Sequence, residues 1–203
     1  MVETLFNLEE LYRHQSKPSE SDETHRRGVS ILEETFGKGH PNVGFVLSNV
    51  GLNYSSKGRF VEAERLLREA VAVLEKSKEA EESDKATAFF NLALVLYELG
   101  KYEQAEALYK RVLSVRERCL GRDHADVSVT LNNLGMVYYS QGRYEEAEPL
   151  FKRAVEIAER ALGPKNPEIA PVLESLVDLY RKTGNEEQLE IWEGRLRELK
   201  ATR

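Results

Sequence analysis

The chain has 203 residues, 41% of them hydrophobic and 32% charged, with a net charge of −6. This balance suits a soluble helical protein and argues against a footprint on nucleic acid or an anionic membrane, both of which call for a positive surface. The single Cys119 excludes an intrachain disulfide and fits a reducing, cytoplasmic setting.

Met1-Val2-Glu3 shows neither the basic nor the apolar region of a secretory signal. No apolar run approaches the roughly 20 residues that span a bilayer. Gly58, Gly100, Gly142 and Gly184 lie 42 residues apart, each after an apolar-periodic segment. A glycine just past a helix takes the left-handed conformation that stops it and turns the chain. One more step back lands on Ser16. The register therefore runs from the first residue and predicts one solenoid over 1–203, with repeats at about 1–40, 41–82, 83–124, 125–166 and 167–203.

In the first repeat, the leading helix (helix A) carries Glu3, Glu9, Glu10 and Arg13, a departure that suits a terminal repeat with one face lacking a neighbour. The second repeat places Leu47, Val50, Gly51 and Tyr54 on one stripe. The third places Phe89, Leu92, Ala93 and Leu96 there, and the fourth Leu131, Leu134, Gly135 and Tyr138. The spacing i, i+3, i+4, i+7 is that of one helical face, and the small residue lets a second helix approach closely. Helix B then opens on Phe60, Tyr102 or Tyr144. Ala63, Ala105 and Ala147 follow, then Leu67, Tyr109 and Phe151, then Ala70, Val112 and Ala154. Glu64–Arg68, Glu106–Lys110 and Glu148–Lys152 are i,i+4 pairs with glutamate first, each contributing about 0.3 kcal/mol and marking the solvated face.

Short links join the repeats: Gly37 to Pro41, Gly121 to Ala125, and Gly163 to Pro167. The link Glu79-Ala80-Glu81-Glu82-Ser83-Asp84 has no glycine and is acidic, which predicts a longer helix B or a mobile loop there. The fifth repeat carries Glu174, Asp178, Arg181 and Lys182 on helix A. Its last helix has an apolar stripe of Leu189, Trp192, Leu196 and Leu199, expected to cover the fourth repeat.

Signals for catalysis are weak. His40 and His124 share a linker position and read as loop and helix-cap residues. His14 and His25 have no acidic or cysteine partner at metal-ligand spacing. Cys119 is in register with Ser77 and Ala161, a small-residue slot that predicts a packing role. Gly37, Gly39 and Gly44 lack the spacing and the preceding strand of a dinucleotide motif. No enzyme, cofactor or metal is expected.

The small residue and aromatic of helix A (Gly135 and Tyr138; Gly51 and Tyr54) and the alanine, aromatic and alanine of helix B (Ala147, Phe151 and Ala154) resemble the tetratricopeptide repeat. The family's usual period is about 34 residues. The 42-residue period, the Asn132-Asn133-Leu134-Gly135 start, the run Tyr144 to Leu150 and the Leu162-Gly163-Pro164 link resemble the kinesin-light-chain type. Pro149 inside helix B removes one hydrogen bond and should bend the helix slightly. The resemblance implies an all-α, right-handed superhelical solenoid of about five antiparallel helix pairs, with helix A lining a concave groove.

On that basis the groove face is the one opposite the buried row. It comprises Phe45, Ser48, Asn49, Leu52 and Ser55 in the second repeat, and Thr87, Phe90, Asn91, Leu94 and Tyr97 in the third. In the fourth it comprises Val129, Asn132, Asn133, Met136 and Tyr139. Val43 to Ser56, Ala86 to Tyr97 and Val127 to Gly142 contain no charged residue. Close sandwiching between neighbouring helices accounts for this, or else a neutral groove does. In the second reading, Asn49, Asn91 and Asn133 form an amide ladder able to bind the backbone of an extended peptide, because an amide both donates and accepts. Phe90, Leu94, Tyr97, Met136 and Tyr139 then supply apolar pockets. The resemblance implies a protein-interaction adaptor or scaffold that takes a peptide segment of a partner. The family's recognition of acidic, tryptophan-containing peptides uses basic groove residues, which the matching positions here lack. The alternative is a structural module docking end to end through its terminal repeats, as a homo-oligomer.

Overall fold

A computed structural model describes residues 2–15 and 17–201. Ser16, on which the register lands, and the side chains of Glu3, Glu10 and His14 lie outside the described residues. The described residues form ten α-helices and no strand: α1 (Val2–His14), α2 (Pro18–Phe36), α3 (Pro41–Ser56), α4 (Phe60–Lys76), α5 (Glu82–Glu98), α6 (Tyr102–Leu120), α7 (Ala125–Ser140), α8 (Tyr144–Leu162), α9 (Ala170–Thr183) and α10 (Glu186–Ala201). A 3₁₀ turn, Pro167–Ile169, precedes α9. This is the expected all-α solenoid of helix pairs, with odd-numbered helices in the helix A role and even-numbered ones in the helix B role. The chain divides into two compact units, 1–95 and 96–203, with the boundary inside α5.

The turns explain the register. Gly58, Gly100, Gly142 and Gly184 hold φ of +73°, +71°, +75° and +71°. At the first turn the Gly58 N–H donates to the Ser55 carbonyl at 2.9 Å, and the Arg59 N–H donates to that of Tyr54 at 3.0 Å. Gly100 with Lys101, and Gly142 with Arg143, repeat this paired bonding. Such a turn satisfies the last carbonyls of the helix and reverses the chain within three residues. The link residues start the next helix as read: the His40 and His124 Nδ1 atoms accept the N–H groups of Asn42 and Asp126, each at 3.1 Å. In the same register, Asn166 accepts the Glu168 N–H at 2.9 Å.

In the first unit, Leu47 of α3 and Ala63, Leu66, Leu67 and Ala70 of α4 are all 0% exposed. A Cβ on Gly51 would lie 2.9 Å from Leu67 Cγ, and one on Gly44 would lie 2.7 Å from Leu74 Cγ. In the second unit, Gly135 gives the Phe151 ring its place: a Cβ there would sit 2.5 Å from Cε1. Helix α8 runs unbroken through Pro149.

The structure corrects three expectations. The acidic link forms neither a longer helix nor a loose loop. Helix α4 ends at Lys76, and α5 begins at Glu82. Between them Ala80 is buried beside Leu74 and Ala88, the Ser77 hydroxyl accepts the Glu79 N–H, and the Asp84 carboxylate accepts that of Glu81. Cys119 is exposed and so does not pack. The glutamates of the i,i+4 pairs do more than mark a wet face. Glu106 of α6 accepts from the Tyr138 hydroxyl of α7 at 3.2 Å, from Lys110 at 2.6 Å and from Arg143 at 2.7 Å, and Arg143 lies 4.2 Å over the Tyr138 ring. One repeat on, Glu148 accepts from the Tyr180 hydroxyl at 2.8 Å and from Lys152 at 2.7 Å. Burial alone would raise the Glu106 carboxyl, but the hydrogen bonds from Lys110 and Arg143 outweigh it and lower the pKa. These carboxylates join successive repeats within the second unit.

In the first unit that role falls to a different cluster. The Tyr54 hydroxyl donates to the Phe6 carbonyl at 2.7 Å. Glu9 of α1, 3% exposed, accepts from Arg13 and from Arg65 of α4. His25 of α2 places Nδ1 3.0 Å from Glu9 and Nε2 2.9 Å from Glu69 of α4, with Arg65 also 3.0 Å from Nδ1. These carboxylates are 16 and 44 residues from His25, so local spacing gave no sign of them. Burial pulls the His25 pKa down, but the bonds to Glu69 and Glu9 outweigh it and raise the value above 6.5.

Two outcomes follow for stability. Gly135→Ala should destabilise by about 1–3 kcal/mol, because the buried Phe151 ring must shift. Gly142→Ala, in open space but at positive φ, should lose about 1 kcal/mol through backbone strain alone. Urea denaturation followed by circular dichroism separates the two. A raised folded-state pKa at His25 gives stabilisation that is complete below its ordinary value and is lost as pH climbs through the folded value. The urea midpoint should therefore fall as the pH rises above about 6.5, and His25→Gln should flatten this component. An unchanged slope in the variant would show that other groups set the pH dependence.

Candidate functional site

The charge-free face of the odd-numbered helices is partly covered. On α3, Phe45, Leu52 and Ser55 are half-buried, Ser48 is buried and Asn49 is exposed. On α5, Thr87 is exposed, and Phe90, Asn91, Leu94 and Tyr97 are half-buried. On α7, Val129 is 44% exposed, and Asn132, Asn133, Met136 and Tyr139 are half-buried.

Within the first unit, α3, the end of α4 and the start of α5 enclose a hollow of about 320 Å³. Its walls are Phe45, Ser48 and Asn49 from α3, Leu74 from α4, and Asp84, Thr87, Ala88 and Asn91 from α5. Leu74, Ala80 and Ala88, with Phe45 and Val71 against them, make the apolar body beneath it. The Asn91 amide donates to the Ser48 hydroxyl at 3.1 Å, tying α5 to α3. Leu52, Phe90 and Leu94 lie outside these walls. Leu74, Asp84 and Ala88 are further wall residues: Leu74 comes from a helix B end, Asp84 from the acidic link, and Ala88 from helix A between the predicted groove positions Thr87 and Phe90.

Within the second unit, the site is aromatic. The Tyr97 and Tyr102 rings are 5.7 Å apart and tilted, and those of Tyr139 and Tyr144 are 5.5 Å apart. The Tyr97 hydroxyl meets that of Ser140 at 3.0 Å. Burial first, and then the Asp178 charge, raise the Tyr139 pKa. Asp178 is paired with Arg181 at 2.8 Å, and Arg181 with Glu193 at 2.8 Å, so α9 brings compensated charge near a neutral face. Tyr102 and Tyr144 had been read only as helix starts.

The amide ladder is uneven. The Asn91 side chain donates to Ser48, and that of Asn133 to the Val129 carbonyl of its own helix at 2.8 Å. The Asn132 Oδ1 is buried without a hydrogen-bond partner among the described residues. Asn49 is the rung that stands exposed. The register supplies one more, Asn7, which is 42 residues before Asn49 and also exposed; the same arithmetic would have found it. Among the described residues no group of three or more His, Cys, Asp or Glu could hold a metal ion, and no helix is long and apolar enough to cross a membrane.

Helix pairs closed by glycine turns and packed through small residues define a helical-repeat protein, a class whose general work is protein–protein interaction or scaffolding. The chain belongs to the tetratricopeptide repeat family, whose profile matches residues 1–76, 84–160 and 126–188. BtubC (BKLC) from P. vanneervenii is similar in structure, at 23% identity over 99% of this chain and 80% of that one, with a TM-score of 0.76. A putative kinesin light chain with nearly identical repeats from Podosopora anserina shares 20% identity over 98% of this chain and 94% of that one, with a TM-score of 0.73. Aspartyl phosphate phosphatase F from Bacillus subtilis shares 18% identity over 98% of this chain and 50% of that one, at 0.69. At these identities the likeness is one of fold, and the fold is of the kinesin-light-chain kind. No curated protein matches the sequence.

Proposed function

We propose that the chain is an adaptor or scaffold that holds an extended segment of a protein partner against the uncharged faces of its odd-numbered helices. The hollow of the first unit carries this reading. It joins an apolar floor to an exposed amide, Asn49, and to the hydroxyl of Thr87. An amide satisfies a peptide N–H or carbonyl without reading sequence, while the floor takes a side chain. Exchanging Phe45 and Asn49 together for alanine should lower retention on a peptide array about tenfold or more, the effect of losing an interface anchor. Circular dichroism should show unchanged helicity. Equal retention by the double variant would reject the hollow as the binding site.

A second reading, docking of copies end to end, is favoured by α1. Leu8 is 37% and Leu11 50% exposed. Their register mates Val50, Leu92, Leu134 and Leu176, and Val95, Val137 and Leu179, are buried. On α10, Leu199 is buried, Trp192 is half-buried under Arg195, and Ile191 is 49% exposed among the charged residues Glu187, Glu190, Arg197 and Glu198, so the second half of the joint is one apolar side chain in a charged surround. Light scattering over a concentration series should show a rise in mass that Leu11→Glu abolishes. A strict monomer at every concentration removes this reading.

A further inference from the structure

The hollow of the first unit has one charged wall. Asp84 is half-buried in the first turn of α5 and stands beside Phe45, Leu74 and Ala88. It forms no ion pair with any described residue: the adjacent Lys85 is taken by Glu82 at 3.0 Å. Asp84 Oδ2 accepts the Glu81 N–H at 3.2 Å, which orients the carboxylate without neutralising it. Glu81, on the same link, is exposed and carries the same sign of charge.

A position in the first turn of a helix already favours an acid, through the amide dipoles. That accounts for a carboxylate at this end of α5. It leaves open why the carboxylate lines a hollow whose other walls are all uncharged. From floor to wall the hollow offers apolar carbon, then amide and hydroxyl, then one uncompensated negative charge. A glutamate entering it would meet like charge, and a neutral side chain would leave Asp84 unpaired. A lysine or arginine lays its methylene stem on apolar carbon and sets its charged head against a carboxylate.

We propose that this hollow selects a lysine or arginine side chain within an extended peptide segment. The proposal rests on the groove reading above and adds the chemistry of the segment. It is tested with three short peptide libraries built from uncharged residues and differing only at a fixed central position, which is Lys, Gln or Glu. Fluorescence anisotropy measures each against the wild type and Asp84→Asn. The amide keeps an acceptor for the Glu81 N–H and removes only the charge.

The Lys library should bind about fivefold or more tightly than the Gln library, and the Glu library most weakly, as a partly exposed charge pair allows. In Asp84→Asn the Lys advantage should shrink to about twofold or less, with Gln binding unchanged. Raising the salt concentration should narrow the wild-type preference as well. Equal Lys and Gln binding, or a Lys preference that survives in Asp84→Asn, overturns the selectivity and leaves the groove standing, provided the Phe45 and Asn49 double variant still weakens binding. No binding of any library overturns both.

Discussion

The distance at which helix A meets helix B governs everything else in each repeat. At Gly135 the Phe151 ring fills the space a side chain would need, and at Gly51 Leu67 does the same. Close backbone approach fixes which stripe of helix A faces inward. With 3.6 residues per turn, fixing one stripe fixes the opposite one. The positions of Phe45, Asn49, Asn133 and Tyr139 on the far face are therefore consequences of the packing of Gly51 and Gly135. The glycine turns reinforce this, because their paired hydrogen bonds set the angle at which helix B leaves.

Joining one repeat to the next requires a second device, and here the two units differ. In the second unit a buried tyrosine hydroxyl meets a glutamate that is already held by a lysine four residues on. In the first unit a tyrosine hydroxyl meets a backbone carbonyl, and Glu9, His25, Arg65 and Glu69 carry the charge. Pulling a carboxylate from water is unfavourable unless its oxygens are satisfied, and both arrangements satisfy them with several donors. In the second unit the charged residues of helix B thus serve the stack, whereas in the first unit Glu9 of α1, a helix A, shares that work with Arg65 and Glu69 of α4.

The register, the turns, the caps and the buried rows were legible in the sequence because all follow from local periodicity or from residues a few places apart. Gly142 and His124 could be assigned without any knowledge of what lies across the fold. The long-range partners were not legible. His25 meets Glu9 and Glu69 only after three helices pack, and Asn91 reaches Ser48 across 43 positions. The acidic link misled because composition was weighed there and the small residue was not. Ala80 is the residue that anchors the link, and its burial holds the segment short. Asp84 was hidden for the same reason, since it was read as part of an acidic run when its position at the head of α5 turns it toward the hollow.

The absence of charge on helix A has two explanations, and burial accounts for some of the residues. Ser48 is buried and bonded to Asn91, and the Oδ1 of half-buried Asn132 is out of reach of water, so burial disfavours charge at both. A charge at either place would be desolvated without a partner. Asn49, Thr87 and Val129 are exposed, and burial does not forbid charge there. Their neutrality needs another cause. A surface that meets a peptide backbone gains from groups that lose little on leaving water, and uncharged amides, hydroxyls and methyls are such groups. In the first unit the exposed neutral residues Asn49 and Thr87 stand on the walls of the hollow that Asp84 closes. On the proposed reading, a single carboxylate there gives direction to a surface that is otherwise indifferent to charge.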